Sequence, residues 1–191
     1  MLNIVIFGAP GSGKGTQSKL IIEKYGLHHI STGDILRKEI EDRTALGAIA
    51  DQYISQGQLV PDRVIIDMMA DVLNEAPDCK GYIFDGFPRT IAQAQAIDEL
   101  LRERNAPIIA VLTLLVEDKT IFQRLLKRAK LENRTDDTPE TIEKRLTVYR
   151  EQTEPLKEYY KKVGKLFKIQ EAQSAEEVFE QISEVIDRLL Y

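Results

Sequence analysis

The sequence predicts an α/β fold, a doubly wound, five-stranded parallel sheet with helices on both faces. Three observations lead there. Short β-prone runs alternate with helix-prone stretches along the whole chain. One run, IIAVLTLLV at residues 108–116, is almost unbroken in apolar character, as strands covered on both faces are. The first run, residues 2–7, leads straight into GAPGSGKGT at residues 8–16, a glycine loop that joins a strand to a helix.

The elements follow in order. Residues 2–7 (LNIVIF) form the first strand, and residues 13–25 a helix that ends at Gly26, a plausible C′ glycine. Residues 29–30 are a weak second strand. Residues 31–60 carry two short helical patterns and no strong strand, so they read as an insert. The insert begins STGDILR, where Ser31 and Asp34 suit a helix start, and ends GQLVPD, a loop stopped by Pro61. GYIFDG at residues 81–86 is a short strand bounded by glycines. Residues 89–104 and 118–130 read as helices on either side of the 108–116 strand. Residues 128–138, RAKLENRTDDT, form a second, polar insert, after which Thr138 and Pro139 suit an N-cap and N1. One long helix is expected over 139–163, a last strand over 165–169 and a final helix over 174–190. That helix places Val178, Phe179, Ile182, Val185, Ile186, Leu189 and Leu190 on one face, behind a capping box of Ser174 and Glu177. The expected organisation is one domain, with a core of residues 1–30, 61–127 and 139–191 and two mobile inserted subdomains, 31–60 and 128–138.

Bulk properties narrow the class. The chain has 191 residues, 43% hydrophobic and 30% charged, with a net charge of −5. That suits one well-buried soluble core and argues against general nucleic-acid binding. Cys79 is the single cysteine, so neither an intrachain disulfide nor a cysteine zinc site is expected. With no charged leader and no apolar run of about 18 residues, a cytoplasmic, non-membrane setting is the default.

The chemistry begins with the loop. Glycines let successive backbone N–H groups point into one concavity that holds an anion. The following helix adds partial positive charge at its N-terminus, and Lys14 adds a full one. Residues 8–14 fit the P-loop pattern G-x-x-x-x-G-K, but Gly15 intervenes before Thr16, which displaces the usual Mg²⁺-facing hydroxyl by one position. ATPases, GTPases and small-molecule kinases all share such a cradle. The N-K-x-D motif of GTPases is missing. FDGFPRT at residues 84–90 places Asp85 at a strand end like a Walker-B acid, able to hold Mg²⁺ through its water shell, with Arg89 just beyond. Arg124 and Arg128 are four apart on one helix face, Arg134 lies in the polar insert and Arg145 on the helix after it.

With GAPGSGKGT, STGDILR, GQLVPD, FDGFPRT followed by Gln93, LKR before the polar insert, RTDD and ETIEKRL in this order, the chain resembles the short-lid adenylate kinases of the nucleoside monophosphate kinase family over nearly its full length. The resemblance implies an enzyme that transfers a phosphoryl group from Mg-ATP to AMP and back, giving two ADP. Gly11, Ser12, Gly13, Lys14, Gly15 and Thr16 would hold the ATP phosphates. Arg124 and Arg128 would face ATP, and Gln173 would lie near its base, where the family commonly has glycine. Residues 31–60 would be the AMP-binding subdomain. There Thr32 and Arg37 would contact AMP, and the backbone of Gln58, Leu59 and Val60 would meet the base. Gly86, Phe87, Pro88, Arg89 and Gln93 would complete that site, with Arg89 on the phosphate and Gln93 on the adenine edge. In the lid, Arg134 would join Arg145 to close on both phosphate chains, with Asp136 and Asp137 orienting the arginines. The lid 128–138 has no cysteine, so no structural zinc is expected, and the family expectation is a monomer.

The attacking AMP oxygen is already ionised near neutral pH, so no general base is required. Accordingly His28 and His29, which fall in no motif, read as structural. Positioning and charge neutralisation must carry catalysis. A UMP/CMP kinase is the nearest rival, and Thr32, Thr90 and Gln93 argue against it. A non-catalytic nucleotide sensor has no need of the lid arginines or Asp85. A P-loop ATPase acting on a protein leaves the AMP-site motifs without a role.

Overall fold

A computed structural model describes residues 1–131 and 137–190. The apolar runs form a single parallel sheet. Strand β1 (Asn3–Phe7) is buried along its whole length and lies in the middle. It is flanked by β3 (Tyr82–Asp85) and β4 (Ile108–Leu114). The edges are β2 (His28–Ser31) beside β3 and β5 (Leu166–Ile169) beside β4, giving the order β2-β3-β1-β4-β5. Parallel neighbours require crossover segments, and the helices supply them. Side chains alternate across β1: Ile4 and Ile6 pack with Ile21, Ile182 and Ile186 on one face, and Val5 and Phe7 with Met69, Ile97 and Tyr160 on the other. Both faces are therefore apolar, which is why these strands lack a hydrophobic–polar alternation.

The helices are α1 (Lys14–Tyr25), α2 (Thr32–Glu41), α3 (Ala45–Ile54), α4 (Asp62–Glu75), α5 (Ile91–Glu103), α6 (Asp118–Leu131), α7 (Pro139–Val148), α8 (Leu156–Lys162) and α9 (Ala175–Leu190). Helix α1 stops at Gly26, whose positive φ of 67° lets its N–H reach Ile22 O. Ser31 caps α2 by accepting from the Asp34 N–H, and Thr138 caps α7 with Pro139 at N1. Helices α2 and α3 cross so closely at Gly47 that a Cβ there would lie 2.0 Å from Glu39 O.

Four expectations need correction. Residues 61–80 received no element, yet α4 lies there and buries Ile65, Met68, Met69 and Leu73 at helical spacing. The single helix over 139–163 is broken. It passes from α7 into a π-helical turn, Tyr149–Thr153, where the Glu154 N–H reaches five residues back to Tyr149 O, and resumes as α8 after Pro155. Pro155 has no N–H to continue the ladder and its ring clashes with the preceding turn. Helix α5 starts two residues beyond Arg89, with Thr90 as its N-cap. At α9, Glu177 accepts from the Gln173 N–H, not from that of Ser174, while its own N–H donates to Ser174 Oγ. No helix among the described residues is long and apolar enough to cross a membrane.

Candidate active site

The loop after β1 turns by means of Gly11 (φ 79°) and Gly13 (φ 97°), conformations that side chains with a Cβ rarely adopt. A Cβ on Gly11 would also lie 2.8 Å from Leu125 Cγ, so the loop rests directly on α6. Gly13 is the N-cap of α1 and offers no side chain to its first N–H groups, which leaves them for an anion. Ser12 is buried in the same loop, and its Oγ has no hydrogen-bond partner among the described residues. Gly15 and Thr16 are exposed in the first turn of α1.

Lys14 folds back over this loop and donates from Nζ to Gly8 O and Ala9 O, both at 2.9 Å. Its ammonium is pushed down from 10.5 to about 8, chiefly by loss of water around it. Asp85 opposes the shift, while Arg89, Arg128 and Arg145 add to it. Four cations from β1–α1, β3–α5, α6 and α7 thus act on one another at the carboxyl ends of the strands. Asp137 has a fully buried side chain and ties two of them together. It accepts from Arg128 Nε at 2.8 Å and Nη2 at 3.0 Å, and from Arg145 Nη1.

Asp85 ends β3 beside this cluster. Burial works to raise its carboxyl, but the imidazole of His29, 3.9 Å away, and the charges of Lys14 and Arg89 outweigh it and hold Asp85 below the ordinary carboxylate range. Among the described residues no three His, Cys, Asp or Glu side chains gather as a metal cage. A Mg²⁺ ion suits a single ionised carboxylate nonetheless, because it keeps its waters and takes its remaining oxygens from phosphates.

On the β2–β3 side, Thr32 donates from Oγ1 to Gly86 O at 2.9 Å, and Arg89 Nε donates to the same oxygen at 2.8 Å. Phe87 and Pro88 are buried beneath them. Arg37 pairs with Asp34 on its own helix. Gln58 is exposed, Leu59 half-buried and Val60 buried on the way into α4. Gln93 is buried, and both ends of its carboxamide are held. On the β4–β5 side, a cavity of about 210 Å³ opens between the loop, the end of β4 and residues 169–175. Ser12, Gly13, Thr16, Arg124 and Gln173 line it. Arg124 does not join the Lys14 cluster. Its guanidinium pairs with Glu171, 2.9 Å away at the cavity rim. Arg134 and Asp136 lie outside the described residues.

The structure thus brings Lys14, Asp85, Arg89, Arg128, Asp137 and Arg145 together, sets Arg124 with Gln173 at the cavity on one side, and on the other binds Thr32 to Gly86 while Arg37 pairs with Asp34. Sequence reasoning did not single out Asp62, which holds Gln93, or Glu171, which holds Arg124. Nor did it connect His29 with Asp85.

Comparisons with known proteins agree with this geometry. The family model for adenylate kinase matches residues 6–165. The chain is 61% identical over 189 residues to an adenylate kinase of Azobacteroides pseudotrichonymphae genomovar. CFP2, covering 99% of each chain. It is 55% identical to one of Bacteroides fragilis, covering 99% of this chain and all of the relative. To one of Porphyromonas gingivalis it is 46% identical, covering 98% and 97%. A P-loop with its lysine among three arginines, matched by relatives of this kind from end to end, shows that the chain belongs to the adenylate kinase family.

Proposed function

We infer that the protein catalyses reversible transfer of the terminal phosphoryl group of Mg-ATP to AMP, forming two ADP. The observation that carries this reading is the convergence of Arg89, Arg128 and Arg145 on Lys14 beside the glycine loop. Such a cluster is expensive to assemble without anions and suits two polyphosphates meeting end to end.

The sheet order supports separate places for the two substrates. ATP has its base in the cavity beside Gln173, with Arg124 at its rim, and its phosphates on the residue 11–16 loop. AMP lies on the β2–β3 side, its phosphate on Arg89 and its base against Gln93 and the backbone of 58–60. Arg37 supports the AMP phosphate from α2. Asp85, with Thr16 at most through water, would hold the water shell of a Mg²⁺ ion, which would supply neutralising charge to the ATP phosphates. Lys14 follows the transferred group, and Arg128 and Arg145, oriented by Asp137, neutralise its equatorial oxygens. The AMP oxygen attacks as an anion, so no side chain takes a proton. Residues 31–60 and 128–138 act as covers that exclude water, with Arg134 and Asp136 brought in by the second. Reopening of the covers limits turnover, and single-turnover kinetics showing chemistry slower than ADP release would overturn that point. We place the protein in the cytoplasm as a monomer.

The test is ADP formation from ATP and Mg²⁺ with AMP, UMP, CMP or GMP as acceptor, beside an acceptor-free control. Rapid transfer to AMP alone is expected. Preference for UMP or CMP would overturn the assignment of the base site, and tight ATP binding with no transfer to any acceptor would overturn the enzyme reading.

A further inference from the structure

Gln93 sits in a closed ring of hydrogen bonds. Its Oε1 accepts from the Arg89 backbone N–H at 2.8 Å. Its Nε2 donates to Asp62 Oδ1 at 2.8 Å. The same Oδ1 accepts from Thr90 Oγ1 at 2.9 Å, and Thr90 Oγ1 accepts in turn from the Gln93 backbone N–H at 3.2 Å. The two ends of the carboxamide therefore face partners of opposite and fixed character. A backbone N–H can only donate, and an ionised carboxylate can only accept. Turning the amide over would set its NH₂ against the Arg89 N–H and its oxygen against the Asp62 carboxylate. Both hydrogen bonds would be lost and replaced by like-to-like contacts, in a residue that is 2% exposed.

One hydrogen on Nε2 and one lone pair on Oε1 remain. Adenine presents a donor at its 6-position beside an acceptor at N1. A 6-oxopurine presents an acceptor beside a donor, the reverse order. An amide that pairs with one must turn over to pair with the other. We propose that Asp62 is a positioning residue that locks the direction of the Gln93 carboxamide, so that the acceptor site takes adenine and rejects a 6-oxopurine. The proposal rests on the reading that the acceptor base meets Gln93. Selectivity here comes from what the site forbids as much as from what it binds.

The experiment compares kcat/KM for AMP and for IMP, its 6-oxo counterpart, in the wild type, Asp62→Asn and Gln93→Ala. Asparagine keeps the size of Asp62 but can present either its oxygen or its NH₂, so it releases the Asp62 end of the lock and leaves only the Arg89 N–H to oppose a turned-over Gln93. In Asp62→Asn the preference for AMP over IMP should fall about tenfold, the scale of one net hydrogen bond, mostly through KM for IMP. KM for ATP, read in the same assays, and a thermal melt report any general damage. Asp62→Leu, which cannot accept at all, should lower the same ratio and serves if Asp62→Asn folds poorly. An unchanged ratio in the Asp62 variants, with a collapsed ratio in Gln93→Ala, would overturn the role of Asp62 and leave the base site standing. An unchanged ratio in Gln93→Ala would overturn the base-site reading and the proposal with it.

Discussion

Replacing Asp137 by Asn should destabilise the nucleotide-free protein, and nucleotide should repair most of the loss. The Asp137 side chain is fully buried and, among the described residues, accepts two guanidinium hydrogen bonds from Arg128 and one from Arg145. Breaking a buried ion pair from one side costs roughly 3–5 kcal/mol. Here the Arg128 and Arg145 side chains keep 27% and 16% exposure, so water relieves part of that cost. The lower end, about 3 kcal/mol, is therefore expected. For a domain of this size that corresponds to a drop in Tm of roughly 6–12 °C. Asparagine has nearly the same shape, so the loss reports charge and not packing. Thermal melts followed by circular dichroism, without nucleotide and then with saturating Mg-ATP and with ADP, are the assay. Polyphosphate should supply the missing negative charge and shrink the difference between variant and wild type. A variant that melts within about 2 °C of the wild type without nucleotide would show that the two arginines contribute no more than surface ion pairs, and the reasoning would fail.

Other outcomes follow from the same structure. Lys14 titrates near 8 when folded and 10.5 when unfolded, so between those values the unfolded chain holds more protons and stability rises with pH. Urea denaturation across that window should show the rise in the wild type and a flatter profile in Lys14→Met, and parallel profiles would contradict the loss of water around the half-buried Lys14 ammonium. The same Lys14→Met change should lower kcat by about 10²–10³, as loss of one preorganised donor does, measured by steady-state ADP formation. Gly47→Ala places a Cβ where Glu39 O lies 2.0 Å away and must spread α2 from α3. KM for AMP should rise several-fold while KM for ATP holds, and equal changes in both would refute the separation of the two sites. Ile186→Ala, at a fully buried position of α9, should cost about 2–5 kcal/mol in denaturant titrations with little change in kcat.

The parts of the site that could be read from the chain are those whose geometry is local. GAPGSGKGT fixes its own turn through Gly11 and Gly13, and Arg89 follows its strand by four residues. Ser31, Thr138 and Gly26 act at the helix ends where their chemistry places them. The partners of the site residues were not legible. Asp62 and Gln93 are 31 residues apart and Arg124 and Glu171 are 47 apart, so only the packing of α4 on α5 and of the β5 loop beside α6 brings them together. Helix α4 itself did leave a signal in the spacing of Val64, Ile65, Met68, Met69 and Leu73, which the strong motifs on either side overshadowed. The π-helical turn left one too, in Pro155, but an apolar helical period running through it masks the break.

The position of β1 between β3 and β4 has a consequence for combining substitutions. Neighbouring parallel strands stand about 4.8 Å apart, so β3 and β4 are separated by roughly 10 Å. Gln93 follows β3 and Gln173 follows β5, one strand further out than β4, so the loop after β1 lies between them. Free-energy effects of a change at Gln93 and one at Gln173 should therefore sum to within about 0.5 kcal/mol, whereas either change paired with one at Lys14 should not. On the proposed assignment of Gln93 to the acceptor and Gln173 to the donor, acceptor choice and donor choice are then two independent dials on one catalyst.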